Sequence, residues 1–406
     1  MYRCVRCGYK AKKKHLLCPR CRNWQSFLEG HGTEVVEKKA HLVEDNPEPS
    51  LEFFDEIVGG GLVRGGVYLL YGLPGSGKST LATQIALSLG RKGHRVIYHC
   101  GEEPINQVWS RVKRLGGESS GVILANASEL SEISELLNEK KPQYFFVDSL
   151  QSLYSKDLKG GPGSPSQLVA SLELLRQVAK IRSIGVFCIG HVTKGEELAG
   201  PSFLPHTADV LLSLSGDRRG KHRVLSSIKN RFAPVERGKL LRLEGKGFVE
   251  ESDRFALLPE RKIPVIGAVS TLAGVGSEQI PVEIQTLVVE GDRKRVVSGV
   301  SKHRVEFLLG ILQRFFGIEI LKNYSIYVEV TGGLSVSELA DLAILLGIYG
   351  SYYQKRTSQY LAVGKVNLTG ELVPFSDELP ETLGEKRLLF SKVLCPVFEF
   401  FAQNGL

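Results

Sequence analysis

The stretch 67–90, VYLLYGLPGSGKSTLATQIALSLG, decides the fold. It opens with five apolar residues that read as a buried strand, and Leu81, Ile85, Leu87 and Leu89 then fall on a helical pattern. Between them lies Gly72-x-x-x-x-Gly77-Lys78-Ser79, a complete P-loop in the strand–loop–helix context the motif requires. Gly72, Leu73, Pro74, Gly75, Ser76, Gly77, Lys78, Ser79 and Thr80 are therefore assigned to phosphate binding. The glycines let backbone N–H groups curl around phosphate oxygens, and the helix N-terminus adds its partial positive charge. Lys78 is expected to reach the β- and γ-phosphates and Ser79 to hold Mg²⁺, so ATP and Mg²⁺ are the implied ligands.

Outward from this core, two further strands end in acids, at the edge where α/β sheets place their chemistry. Residues 143–148 (QYFFVD) end in Asp148, read as the carboxylate for Mg²⁺ or its water; the alternative is a helix N-cap. Residues 96–100 (VIYHC) run into Gly101-Glu102-Glu103, where Glu102 is assigned to orient the attacking water as general base. The alternative for Glu102 is an acid placed to favour a helix start. Another apolar strand covers 185–191 (GVFCIGH). Strands alternating with helical patterns give an α/β fold with a parallel sheet. Segments 156–167 and 193–206, rich in Gly, Pro and Ser, read as loops that either reach a central channel or simply connect elements on the surface. Segment 218–242 holds nine Lys/Arg and one Glu and suggests a basic hairpin that meets phosphate, either nucleic acid or the nucleotide of a neighbouring subunit.

The N-terminus carries a different chemistry. Cys4-x-x-Cys7 and Cys18-x-x-Cys21 have the spacing of a Cys₄ zinc site, whose closed coordination folds a module and performs no chemistry. Disulfides would need an oxidising compartment, and the start of the chain has no apolar signal segment. Residues 1–28 hold eight basic residues and no acid; the other 44 of the 52 basic residues are matched by 44 acidic ones, so the whole +8 excess sits in this module. Four thiolates around one zinc carry −2 themselves, which lowers the working charge of the module to nearer +6. The length of 406 residues, with 42% hydrophobic and 24% charged, excludes disordered and collagen-like classes and implies two or three domains. No run of 18 apolar residues occurs, so the expectation is a cytoplasmic protein with no membrane partner.

A four-cysteine finger, a P-loop core and then Lys229-Asn230-Arg231-Phe232-Ala233 resemble the bacterial RadA (Sms) family, whose hallmark is Lys-Asn-Arg-Phe-Gly. Gly59-Gly60-Gly61-Leu62-Val63, Gly101-Glu102-Glu103, Asp148-Ser149-Leu150-Gln151, Pro162-Gly163-Ser164, Thr193-Lys194 and Ala199-Gly200-Pro201 support it in the same order along most of the chain. The resemblance implies a hexameric, DNA-stimulated ATPase of recombinational repair that moves on single-stranded DNA and promotes branch migration. Its partners would be single-stranded and branched DNA, a homo-hexamer and a RecA-type recombinase. It also implies that Lys229 and Arg231 are needed for ATPase coupling and DNA work. Ala233 stands where the motif has Gly, so a φ > 0 requirement would strain the turn. From about Pro264 the chain is similar to the proteolytic domain of Lon proteases, but 335–343 reads SVSELADLA in place of Gly-Pro-Ser-Ala-Gly. Ser337 and Lys386 are the remnants of a Ser–Lys pair, so an inactive platform is expected. Arg293, Lys294, Arg295, Lys302 and Arg304 are its candidate phosphate contacts. The resulting expectation is a Cys₄ zinc finger (1–28), a linker (29–50), a RecA-like P-loop domain (51–258) and an α/β Lon-protease-like domain (259–406). The alternative is a clock-protein-like regulatory ATPase that does not translocate on DNA.

Overall fold

The computed structural model describes residues 2–4, 9–12, 18, 20, 27–29, 46–191, 207–216, 220–235, 237–253, 255–275, 278–374, 386–391 and 393–406. Three short strands, β1 (Tyr2–Cys4), β2 (Lys10–Ala11) and β3 (Phe27–Glu29), form an antiparallel sheet in the order β2-β1-β3. Cys4 and Cys18 are buried, with Tyr2, Tyr9 and Ala11 packed against them. Cys7 and Cys21 lie outside the described residues. Among the described residues no group of three or more His, Cys, Asp or Glu is placed to hold a metal ion.

The apolar runs form the centre of a nine-stranded sheet. In chain order its strands are β4 (Val67–Gly72), β5 (Val96–Cys100), β6 (Ile123–Ala125), β7 (Tyr144–Asp148), β8 (Gly185–His191), β9 (Val210–Ser215), β10 (His222–Asn230), β11 (Gly238–Glu244) and β12 (Gly247–Glu250). Their spatial order is β12-β11-β10-β9-β4-β8-β7-β5-β6, and the run from β9 to β6 is parallel. Parallel strands need helical crossovers that cover both faces, which is why they read as unbroken apolar runs without alternation. On one face Leu69, Phe145, Val147 and Val186 pack with α4 (Leu130–Lys140) and α5 (Pro165–Arg182). On the other, Tyr68, Phe187, Phe146 and Tyr98 stack in sequence, and Phe54 of α1 (Glu52–Val58) meets Phe187. This is the α/β architecture of a RecA-like ATPase core.

Register places the chemistry. Gly72 lies opposite His191, and Cys100 lies opposite Asp148. The four residues therefore end their strands on a common carboxyl edge, although they are far apart in the chain.

Two local readings change. Segment 156–167 is not all loop: α5 starts at Pro165, a favourable first helical residue, and Gln167 is buried. Its amide ties back to Ser155 N–H and C=O at 2.8 and 3.0 Å, which holds the turn down. The end of the linker is also ordered, since Glu48 and Leu62 exchange backbone hydrogen bonds at 2.9–3.0 Å. The 193–206 segment, with Thr193-Lys194 and Ala199-Gly200-Pro201, lies outside the described residues.

The chain divides into two compact units: Met1–Leu214 with Leu225–Arg237 and Leu243–Val249, and Ser215–Val224 with Gly238–Arg242 and Glu250–Leu406. The second unit carries a mixed six-stranded sheet, β15-β16-β14-β13-β17-β19. Its strands are β13 (Ala268–Val275), β14 (Glu278–Glu290), β15 (Arg295–Ser298), β16 (Tyr324–Val330), β17 (Tyr360–Ala362) and, after β18 (Glu371–Leu372), β19 (Arg387–Leu389). Helices Lys302–Phe316 and Asp341–Tyr352 fill its core. The Asp341–Tyr352 helix is buried almost all round, which explains its apolar sequence without a polar stripe.

Candidate active site

Helix α2 (Lys78–Arg91) begins at the end of the P-loop with Gly77 as its N-cap at φ 101°. A Cβ there would lie 2.6 Å from Phe248 Cζ, so both the left-handed backbone and the space require glycine. Lys78 is only 5% exposed, and its Nζ donates to Gly72 O at 2.9 Å and Leu73 O at 3.0 Å. A cation held by carbonyls of its own loop is already placed for phosphate oxygens, and the glycine-lined loop leaves room for them. The loop fits a nucleotide.

Asp148 is 5% exposed at the end of β7. Tyr98 OH donates to its Oδ2 at 2.8 Å. Burial pushes the carboxyl above its usual range, while hydrogen bonds from Tyr98 and Ser79 oppose the shift. Ser79 and Asp148 thus meet, as a shared magnesium site demands. An anion left partly uncompensated in a buried pocket fits a divalent cation.

The structure separates the two acids after β5. Glu103 pairs with Arg111 of α3 (Ile105–Arg114) and lies on the Asp148 side. Glu102 accepts from Ser149 Oγ and from His191 Nε2, the latter at 2.7 Å. The bond from His191 holds Glu102 below the ordinary carboxylate range, aided by Ser149 and the charge of Lys78. An ionised carboxylate facing the P-loop lysine is placed to accept a proton from water; Glu103 is occupied. Burial also removes the neighbours on β5 from acid–base work, pushing the Cys100 thiol up to about 11 and His99 down to about 4.

Lys229 and Arg231 do not join this cluster. Lys229 Nζ donates to Ala208 O at 2.7 Å, and Arg231 Nη1 donates to Asp209 Oδ1 at 3.0 Å. Asp209 Oδ2 accepts from Val67 N at 3.0 Å, at the start of β4, whereas the P-loop follows its end. Five strand steps separate them, about 17 Å. Within one chain these two residues cannot touch the nucleotide held by Lys78.

The expected strain at Ala233 is absent. Ala233 is not among the positive-φ residues; its N–H and that of Phe232 both donate to Asn230 Oδ1, at 3.1 and 2.8 Å. Glycine is needed instead at Gly59, φ 94°, where a Cβ would fall 2.5 Å from that of Ala233. Asn230 also donates to Val58 O at 3.1 Å, so the motif asparagine closes the turn and ties it to α1.

Within the basic segment 218–242, Arg218, Arg219 and Glu236 lie outside the described residues, and the described part is not a free hairpin. It supplies β10 and β11, where Lys239 pairs with Glu250 and His222 and Arg242 share Glu251. Arg223 is buried, donating to Gly220 O and His222 O. In the second unit Arg304 is committed to Asp341 and Arg295 to the Tyr324 carbonyl at 2.6 Å, so neither is free for phosphate. Arg293, Lys294 and Lys302 are exposed. Ser337 accepts from Leu339 N at 3.3 Å while Lys386 donates to Ser358 O at 2.5 Å. The two side chains of the Ser–Lys remnant thus have different partners.

Sequence reasoning missed Ser149, His191, Tyr98 and Arg111. His191 ends an apolar strand just as Asp148 does, and that signal was legible. Tyr98 sits inside β5, and nothing in its spacing marks it.

The ATPase family described as "ATPase: KaiC" matches residues 49–123. Three curated relatives, each a DNA repair protein RadA, align over nearly the whole chain. That of Bacillus subtilis is 31% identical over 97% of this chain and 91% of its own. That of Helicobacter pylori is 32% identical over 92% and 88%, and that of Streptococcus pyogenes serotype M3 is 33% identical over 97% and 91%.

Proposed function

The chain belongs to the RadA family of DNA repair proteins, and from that premise we propose a DNA-dependent ATPase of recombinational repair. ATP is hydrolysed between subunits of a homo-hexamer, turnover drives movement along single-stranded DNA, and branched intermediates migrate as a result. The observation that carries the ATPase reading is the convergence of Lys78, Ser79, Asp148 and Glu102 at one carboxyl edge of a parallel sheet.

The roles follow from geometry. Backbone N–H groups of the P-loop and Lys78 bind the phosphates, and Lys78 leaves its two carbonyl partners to follow charge as it develops. Ser79 and Asp148 are the residues that would hold magnesium, which when bound neutralises charge on the β- and γ-phosphates. Glu102, kept ionised and oriented by His191 and Ser149, accepts the proton of the attacking water. Water oxygen bonds to the γ-phosphorus, the bond to the bridging oxygen breaks, and ADP leaves with phosphate. Lys229 and Arg231, about 17 Å from their own P-loop, act on the nucleotide of the adjacent subunit.

That last role makes mixing informative. Lys78→Ala and Arg231→Ala protein should each be inactive, but together they should regain turnover, because a Lys78 of one chain then faces an Arg231 of another. Failure of the mixture to exceed either variant alone, with mixed oligomers verified, would remove the role between subunits.

The four cysteines Cys4, Cys7, Cys18 and Cys21 are read as a structural zinc site, supported by burial of the two described ones. The second unit is read as an inactive platform, supported by the separate engagements of Ser337 and Lys386. Its exposed Arg293, Lys294 and Lys302 are the candidates left for DNA phosphates. The deciding experiment is ATPase rate with and without single-stranded DNA, on protein sized by light scattering. Severalfold stimulation of a hexamer is expected; an unchanged rate would favour a regulatory ATPase that does not act on DNA.

A further inference from the structure

Among the described residues, Arg111 is the one cation packed beside the acidic end of β7 that neither motif nor resemblance assigns. It sits in the last turn of α3, eight residues beyond Glu103, with its side chain 12% exposed. One guanidinium nitrogen, Nη2, binds Glu103 Oε2. The other, Nη1, is buried, has no hydrogen-bond partner among the described residues and lies 3.9 Å from Asp148 Oδ2. A buried guanidinium N–H without a partner is costly, and the Asp148 carboxylate lies just beyond hydrogen-bond reach. Asp148 in turn has Tyr98 on Oδ2 and Ser79 beside it, so a balance of groups, not a single partner, sets its position.

We propose that Arg111 is a positioning residue for the magnesium site: divided between Glu103 and Asp148, it orients the Asp148 carboxylate and sets how strongly that carboxylate draws a divalent cation. The inference rests on the reading of Ser79 and Asp148 as the magnesium site. Its physical content is a competition. The positive charge of Arg111 and an incoming cation both seek Asp148, while Glu103 holds Arg111 partly away. Weakening the hold of Glu103 lets Arg111 turn further toward Asp148 and lowers cation affinity. Removing Arg111 deletes a like charge and raises it, at the expense of orientation and hence of turnover.

The two changes therefore have opposite signs, which a purely structural role cannot produce. The test is binding of Mn²⁺ to the full-length protein with ADP, followed by electron paramagnetic resonance so that no turnover is involved. Arg111→Gln should tighten Mn²⁺ binding about tenfold, Glu103→Gln should weaken it severalfold, and Arg111→Lys, which keeps the charge, should stay within about twofold of the parent. ATPase rate should fall in Arg111→Gln and recover in part in Arg111→Lys. Thermal melting of each variant identifies any loss of fold, and Glu103→Gln with Arg111→Lys then carries the test without Arg111→Gln. Shifts of the same sign in Arg111→Gln and Glu103→Gln, or none in either, overturn the proposal. Asp148→Asn separates the underlying reading: if it binds Mn²⁺·ADP like the parent, Asp148 is not the metal carboxylate and the site assignment fails, whatever Arg111 does.

Discussion

Lys78→Ala should cut ATP turnover by about 10²–10³-fold or more, the loss typical of removing one preorganised group that stabilises transition-state charge. The expectation comes from the position of Nζ, fixed at 2.9 and 3.0 Å from the carbonyls of Gly72 and Leu73 in an almost fully buried setting. Alanine deletes the charge and also leaves two loop carbonyls without their donor, so the loop loses its shape as well as its cation. Single-turnover hydrolysis with saturating ATP separates the chemical step from nucleotide affinity. Near-parental hydrolysis would mean that Gly72–Thr80 does not cradle the reacting phosphates.

The largest stability effect is expected in the second unit. Arg304 meets Asp341 through Nε at 2.9 Å and through Nη2, and Nη2 also donates to Val366 O at 2.7 Å. Asp341 is fully buried and accepts Val366 N at 2.9 Å as well. Breaking a buried pair from one side costs about 3–5 kcal/mol, since the remaining charge stays desolvated. Asp341→Ala should therefore lower the unfolding midpoint of the full chain sharply in urea or on heating. Arg304→Ala should be as costly at neutral pH but less so in acid. Burial already raises the Asp341 carboxyl, and Arg304, together with the Val366 N–H, pulls it back. Without Arg304 its folded pKa lies further above the unfolded value. The folded state then binds the extra proton, and stability relative to the parent recovers as pH falls through that range. Glu338, near Arg304 and paired with Lys365, adds to the same direction. A cost for Arg304→Ala that does not change with pH would mean Asp341 stays charged without its partner.

Lys78 and the Arg304–Asp341 pair differ in how visible they are in the sequence. Lys78 was identifiable because a P-loop is local: strand, glycines, lysine and helix start lie within one short span, and each residue type has a backbone or charge reason. Asp148 and Glu102 stand out as candidates because apolar strands that end in acids mark a sheet edge. The choice of Glu102 over Glu103 was not decided by spacing, as adjacent residues share it. Arg111, approaching from α3, occupies Glu103, while Ser149 and His191 orient Glu102. Charge runs misled in a related way. Lys239, Arg242 and Arg304 counted as available cations in the sequence, yet their partners Glu250, Glu251 and Asp341 lie elsewhere in the chain.

What the sequence determined by itself was the set of local devices: a phosphate loop, parallel strands with acid ends, paired Cys-x-x-Cys motifs and a motif shared with RadA proteins. These depend on neighbours within a few residues, where sterics and hydrogen bonding act directly. Tertiary structure decided which devices meet. The register of Gly72 with His191 and of Cys100 with Asp148 gathers one site, and the bond from Asp209 to Val67 puts Lys229 and Arg231 at the far end of the same strand. Electrostatic and hydrogen-bond partners act through space over a few ångströms, and only folding sets those distances.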